Sequence, residues 1–136
     1  MEYDIILATQ SEIRRNLLKK TGIRFKAIKS DFDEAQLQDA FNNKICSLKD
    51  VQDLVKKLSL EKARNISNKY SKDLIIGCDQ TLYFKKRILN KPVNYEESFE
   101  QLKGLSGENH KLITATTCVM ESKEIWSYIS VQDMQM

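Results

Sequence analysis

The stretch Leu74-Ile75-Ile76-Gly77-Cys78 is wholly apolar and stops abruptly at Asp79. A strand buried on both faces reads this way, because neither row of its side chains meets water. Such a strand must sit inside a sheet and be covered by other elements, which constrains the rest of the chain to supply them. Ile5-Ile6-Leu7-Ala8 offers a second buried strand, and Phe25 to Ile28 alternates like a third. Between them Ser11 opens a helical stretch with Leu17 and Leu18 on one side, closed by Gly22. The turn-prone Ser30-Asp31-Phe32-Asp33-Glu34 leads into a modest helix through Phe41. The longest helix runs from about Ser47, a suitable N-cap, to Ser67.

After Asp79, Thr81 to Phe84 and Ile88-Leu89 flank Lys85-Lys86-Arg87, which reads as a charged hairpin turn. Asn94 caps a helix from Tyr95 to about Leu102, with Glu96 and Glu97 well placed in its first turn. Two alternating segments, His110 to Met120 and Ile125 to Met134, join near Ser122-Lys123 as a long antiparallel hairpin. Strands and helices interleave throughout, so the expected class is α/β with a mixed sheet. At 136 residues the default is a single domain with one core.

Composition excludes several chemistries. One histidine, His110, rules out any two-His metal site. Cys46, Cys78 and Cys118 are odd in number and widely spaced, which reads as free thiols in a reducing cytosol. The acidic start Met1-Glu2-Tyr3-Asp4 is unlike a signal peptide, and no apolar run could span a bilayer, so a cytoplasmic protein without a membrane partner is expected. The 22 basic and 19 acidic residues leave a net charge of +3. That excess is too mild and too spread to predict a nucleic-acid surface by itself, and it leaves room for an anionic small molecule.

Four places could carry chemistry. At Thr9-Gln10-Ser11 with Arg14, a helix start offers backbone N–H groups, hydroxyls and a guanidinium, the parts of a phosphate cradle. The plainer alternative is a capping serine beside solvated arginines. Lys62 falls within the apolar stripe Val51, Leu54, Val55, Leu58 and Ile66. Its ammonium needs a buried acid, a ligand anion or an escape route to the sheet edge. Asp79, at the end of a buried strand, is either a turn former or an acid placed where α/β sheets put metal ligands and bases. Asp33-Glu34 and Lys91 read alone as a solvated loop and a surface lysine.

Taken in order, these motifs resemble those of the Maf family of nucleoside triphosphate pyrophosphatases. The sequence runs Leu7-Ala8-Thr9-Gln10-Ser11 with Arg14, Asp31-Phe32-Asp33-Glu34, Leu60-Glu61-Lys62-Ala63, Ile76-Gly77-Cys78-Asp79-Gln80, Asn90-Lys91-Pro92, and Leu102 to Gly107 with His110. The resemblance implies a Maf/ITPase-like mixed sheet flanked by helices around a central pocket. It implies hydrolysis of a nucleoside triphosphate, often a modified or non-standard one, to the monophosphate and pyrophosphate, a house-cleaning role. It implies Asp79 as the proton acceptor, and Ser11, Arg14, Glu34, Lys62, Lys91 and Gln80 around the substrate. A divalent cation, Mg²⁺ or Mn²⁺, would sit on Asp79 and Glu34, and a homodimer stays open because relatives are often dimeric.

Three departures qualify the resemblance. The family's Ser-Pro-Arg-Arg reads Ser11-Glu12-Ile13-Arg14 here, so Ile13 replaces one phosphate-binding arginine and Arg15 is left as an open substitute. With Cys78 before Asp79, the chain is similar to alphaproteobacterial members, and Gln80 stands where thymidine/uridine-type members carry Thr, leaning towards 7-methyl-GTP-type substrates. Family members also continue beyond the last strand, whereas this chain stops at Met136. The expectation is therefore a domain short of its C-terminal part, with uncovered apolar surface. The alternative to an active enzyme is a catalytically decayed nucleotide-binding module of the same fold.

Overall fold

A computed structural model describes residues 2–42, 44–45, 47–89 and 92–136, with only the backbone of Asn42. Cys46 and Lys91 lie outside the described residues. The elements, in chain order, are β1 (Ile5–Leu7), α1 (Glu12–Lys19), β2 (Lys26–Ala27), α2 (Glu34–Asn42), α3 (Leu48–Ser67), β3 (Leu74–Phe84), β4 (Arg87–Leu89), α4 (Tyr95–Leu105), β5 (Asn109–Met120) and β6 (Lys123–Gln135). The six strands form one mixed sheet in the order β2-β1-β3-β5-β6, with β4 paired to β3. β1 runs parallel to both β2 and β3, and the remaining pairs are antiparallel. The α/β class expected from the interleaved patterns is the architecture found.

β3 is one strand of 11 residues, where the sequence suggested two strands broken at Asp79. The apolar pattern stops there because the strand leaves the core and enters a cleft, although its pairing to β5 continues unbroken from Ile75↔Val119 to Tyr83↔Lys111. Asp79 is thus mid-strand rather than at a strand's end. Both hairpins turn through two residues at positive φ, Lys85-Lys86 and Glu121-Ser122. Such twist matches the right-handed strands it joins.

α3 carries the core. Ser47 caps it reciprocally: its hydroxyl accepts from Asp50 N, and the Asp50 carboxylate accepts from Ser47 N. Val51, Leu54, Val55, Leu58, Ala63 and Ile66 are buried against one face of the sheet, where Ile75, Ile113, Ala115 and Val119 meet them. The contact is tight at Gly77. A Cβ built there would lie 2.1 Å from the Ser59 carbonyl oxygen and 2.9 Å from Ala63 Cβ. Beside it the fully buried hydroxyls of Ser59 and Thr117 share a hydrogen bond of 2.7 Å. Gly77→Ala must push the helix off the sheet at its backbone, so about 3 kcal/mol of stability should be lost. Urea unfolding of the variant checks this, and a loss under about 1 kcal/mol would contradict the close approach.

The opposite face is covered differently. α1 has no buried residue, and its Leu17 and Leu18 border a shallow groove of about 260 Å³ with Leu7, Ile76, Cys78 and Thr116. Further across, Trp126 and Tyr128 stack at 6.3 Å and are 53% and 61% exposed. Cys78 and Cys118 are free thiols. Among the described residues no helix is long and apolar enough to cross a membrane.

Candidate active site

β1 accompanies β3 only as far as Ile76, and β4 joins the same edge only from Leu82. Between them, among the described residues, no strand lies beside that edge of β3, which leaves a notch in the sheet. A carbonyl left in such a notch needs a donor. Arg14, from the first turn of α1, supplies it, its Nη1 donating to the Cys78 oxygen at 3.2 Å. Ser11 sets the start of α1, its hydroxyl accepting from Arg14 N at 3.3 Å, while Thr9 Oγ1 accepts from Ser11 N at 3.0 Å.

Strand alternation turns Asp79 towards α3, into the notch, where it is 6% exposed. Lys62 comes down from α3 to meet it. Its Nζ lies 2.8 Å from Asp79 Oδ1 and 2.9 Å from Glu34 Oε1, the latter from the first turn of α2. Asp33 caps that helix through Gln36 N, so the neighbouring carboxylates have separate tasks. The lysine anomaly in the apolar stripe is thereby accounted for: its ammonium is buried between two acids.

One cation between two carboxylates leaves an unbalanced set. Burial pushes the Asp79 carboxyl above its ordinary value, Glu34 adds to this, and Lys62 and Arg14 only partly offset it. Burial alone would lower Lys62, but Asp79 and Glu34 together outweigh it and hold the ammonium above its usual range. The lysine is therefore charged at any physiological pH, while Asp79 is a stronger base than a solvated aspartate.

The cluster floors two adjoining cavities that share Arg14, Glu34 and Lys62. The first, about 330 Å³, is lined by Ala8 to Ser11, Lys29 and Ser30. The second, about 410 Å³, is lined by Gln38, Asp79, Gln80, Thr81, Ile88 and Leu89. Ser11, Arg14, Glu34, Lys62, Asp79 and Gln80 all line one or both of these cavities, whereas Lys91 lies outside the described residues. Gln80 borders the cavity from the next strand position, its side-chain amide donating to Thr114 Oγ1 at 2.9 Å. Ile13 is 74% exposed, and neither it nor Arg15 lines either cavity. His110 is buried outside the cleft.

Sequence reasoning passed over Lys29 and Gln38. Signals for both existed: Lys29 follows the carboxyl end of a strand parallel to β1, where such sheets place their sites. Gln38 sits one helical turn beyond Glu34, on the same face of α2.

The sequence profile described as Maf-like protein matches residues 4–136. The chain belongs to the Maf-like protein family. It is 33% identical over 129 residues to a nucleoside triphosphate pyrophosphatase of Ruegeria, covering 95% of this chain and 63% of that protein. It is 32% identical over 136 residues to a 7-methyl-GTP pyrophosphatase of Brucella abortus, covering 100% of this chain and 67% of the relative. The chain thus spans 63% of the length of the first curated relatives it matches. A solved HAM1 protein from Coxiella burnetii shares the fold at a TM-score of 0.55 and 11% identity, covering 98% of this chain and 72% of that one. The Maf/ITPase-like mixed sheet is the fold this Maf-like chain adopts.

Proposed function

We propose that this Maf-like chain is a nucleoside triphosphate pyrophosphatase, cleaving between the α- and β-phosphoryl groups to give a monophosphate and pyrophosphate. The observation that carries the reading is Lys62 held between Glu34 and Asp79 on the floor of a cleft that Arg14 also enters. Phosphoryl transfer asks chiefly for positioning and charge neutralisation, with one base for the water, and these residues supply both. Lys62 takes Oδ1 of Asp79, and no described residue donates to Oδ2. That oxygen accepts the proton of the attacking water as the phosphorus–oxygen bond to pyrophosphate breaks. Arg14 and Lys62 neutralise charge on the phosphoryl oxygens.

Among the described residues no group of three or more His, Cys, Asp or Glu is assembled that could hold a metal ion. The two carboxylates of Glu34 and Asp79 nevertheless suit a hard divalent cation, since Mg²⁺ is commonly bound by one or two carboxylates together with substrate phosphates. When bound, Mg²⁺ or Mn²⁺ would neutralise phosphate charge beside Asp79 and Glu34.

The reading includes modified or non-standard nucleotides as substrates, a house-cleaning role and a cytoplasmic setting. Incubating the purified chain with Mg²⁺ or Mn²⁺ and a panel of ordinary and methylated triphosphates should release pyrophosphate from at least one. Thermal stabilisation by a triphosphate with no release across the panel would replace the enzyme by a binding module. No release and no stabilisation would remove the nucleotide altogether.

A further inference from the structure

The two cavities share Arg14, Glu34 and Lys62, so the residues they do not share give the cleft a direction. On one side stand Lys29 and the polar side chains of Thr9, Gln10, Ser11 and Ser30, with no carboxylate except the shared Glu34. Lys29 is exposed and forms no ion pair or hydrogen bond among the described residues, so its charge is free for a ligand. On the other side Asp79 contributes a negative charge, and Ile88 and Leu89, both half-buried, form an apolar ledge. Gln38 faces that side with a half-buried amide that has no hydrogen-bond partner among the described residues. A polyanion is drawn more strongly to the first side, where Lys29 adds a cation, than to the second, where Asp79 offsets one. A flat heterocycle fits an apolar ledge beside one unsatisfied amide, which can both donate and accept.

Building on the pyrophosphatase reading, we propose that Lys29 contacts the departing pyrophosphate and that Gln38 is the residue that discriminates between nucleobases. The scissile bond then lies over the shared floor, with Asp79 on the nucleoside side. Neither residue touches the reacting atoms, so both act on affinity and selectivity rather than on the chemical step.

Inorganic pyrophosphate and a set of nucleoside monophosphates can be titrated calorimetrically into the full chain and three variants. Lys29→Ala should weaken pyrophosphate about fivefold and leave every monophosphate within about twofold, and Lys29→Arg should restore the loss. Gln38→Leu should leave pyrophosphate unchanged and reorder the monophosphates, shifting at least one pair of bases by about fivefold relative to each other. Equal weakening of both ligand classes by either variant, or no change in either, overturns the assignment even if the chain hydrolyses triphosphates. A wild-type chain that binds neither ligand and releases no pyrophosphate overturns the reading beneath it as well.

Discussion

Lys62→Met should cost about 3–5 kcal/mol of folding stability at pH 7. The substituted side chain fills the same channel, but it removes the ammonium that contacts both the Asp79 and Glu34 carboxylates, at 2.8 Å and 2.9 Å. Glu34 can turn outwards, since its side chain is 45% exposed. Asp79, at 9%, cannot, and it is left as a buried and unpaired charge. Its escape is protonation, which gives the loss a pH signature. Asp79 already titrates above its ordinary value in the folded protein, and removing Lys62 raises it further. A raised folded value means that the stability is fully present below the unfolded carboxyl range of about pH 4. It is lost as pH rises through the folded value.

Urea unfolding at pH 7 and near pH 4 should therefore show a gap between variant and wild type that narrows in acid. A gap independent of pH would mean that the lysine contributes only its packing. Lys62 itself adds nothing to this window, because its raised value places its own loss of stability above the ordinary lysine range.

Lys62 also shows how much of the site was legible beforehand. Its place in an apolar stripe is a conflict between pattern and chemistry, and such conflicts mark functional positions. The stripe told that the ammonium needed a partner but not which one. Glu34 and Asp79 reach it from separate elements, and nothing local in Asp33-Glu34 separates the capping carboxylate from the one that turns inwards. The strands were legible where alternation or apolar runs were clean, as in β5 and β6. The continuity of β3 was hidden, because Asp79 and Gln80 look like a strand end when read by hydropathy alone. What keeps that segment extended is the ladder to β5, a long-range pairing that a local window does not contain. The same holds for Gln80, whose amide is committed to Thr114 through that register. Arg14 was read as a phosphate ligand, and its bond to the Cys78 carbonyl adds a second task, closing the open edge of the sheet.

Asp79→Asn should behave in the opposite way from Lys62→Met: activity falls steeply while stability does not. An amide cannot take a proton from water at neutral pH, so turnover should drop by about 10²–10⁴-fold. The expected effect on stability follows from what perturbs the carboxyl. Burial is the largest influence on Asp79 and disfavours its ionised form, with Lys62 and Arg14 only partly compensating. At pH 7 the wild type carries that unfavourable ionisation, whereas the amide resembles the protonated acid in shape and charge. The variant's Tm at pH 7 should therefore equal or exceed that of the wild type. The difference should close below about pH 4, where the wild-type carboxyl is protonated in both folded and unfolded states. Lys62 keeps its contact with Glu34, so the amide leaves no stranded cation. A lower Tm at pH 7 would show that Asp79 is kept mainly as a structural partner for Lys62, and its assignment as the base would lose its physical support. A higher Tm with lost turnover would mark a group held ionised against its surroundings because the reaction uses it.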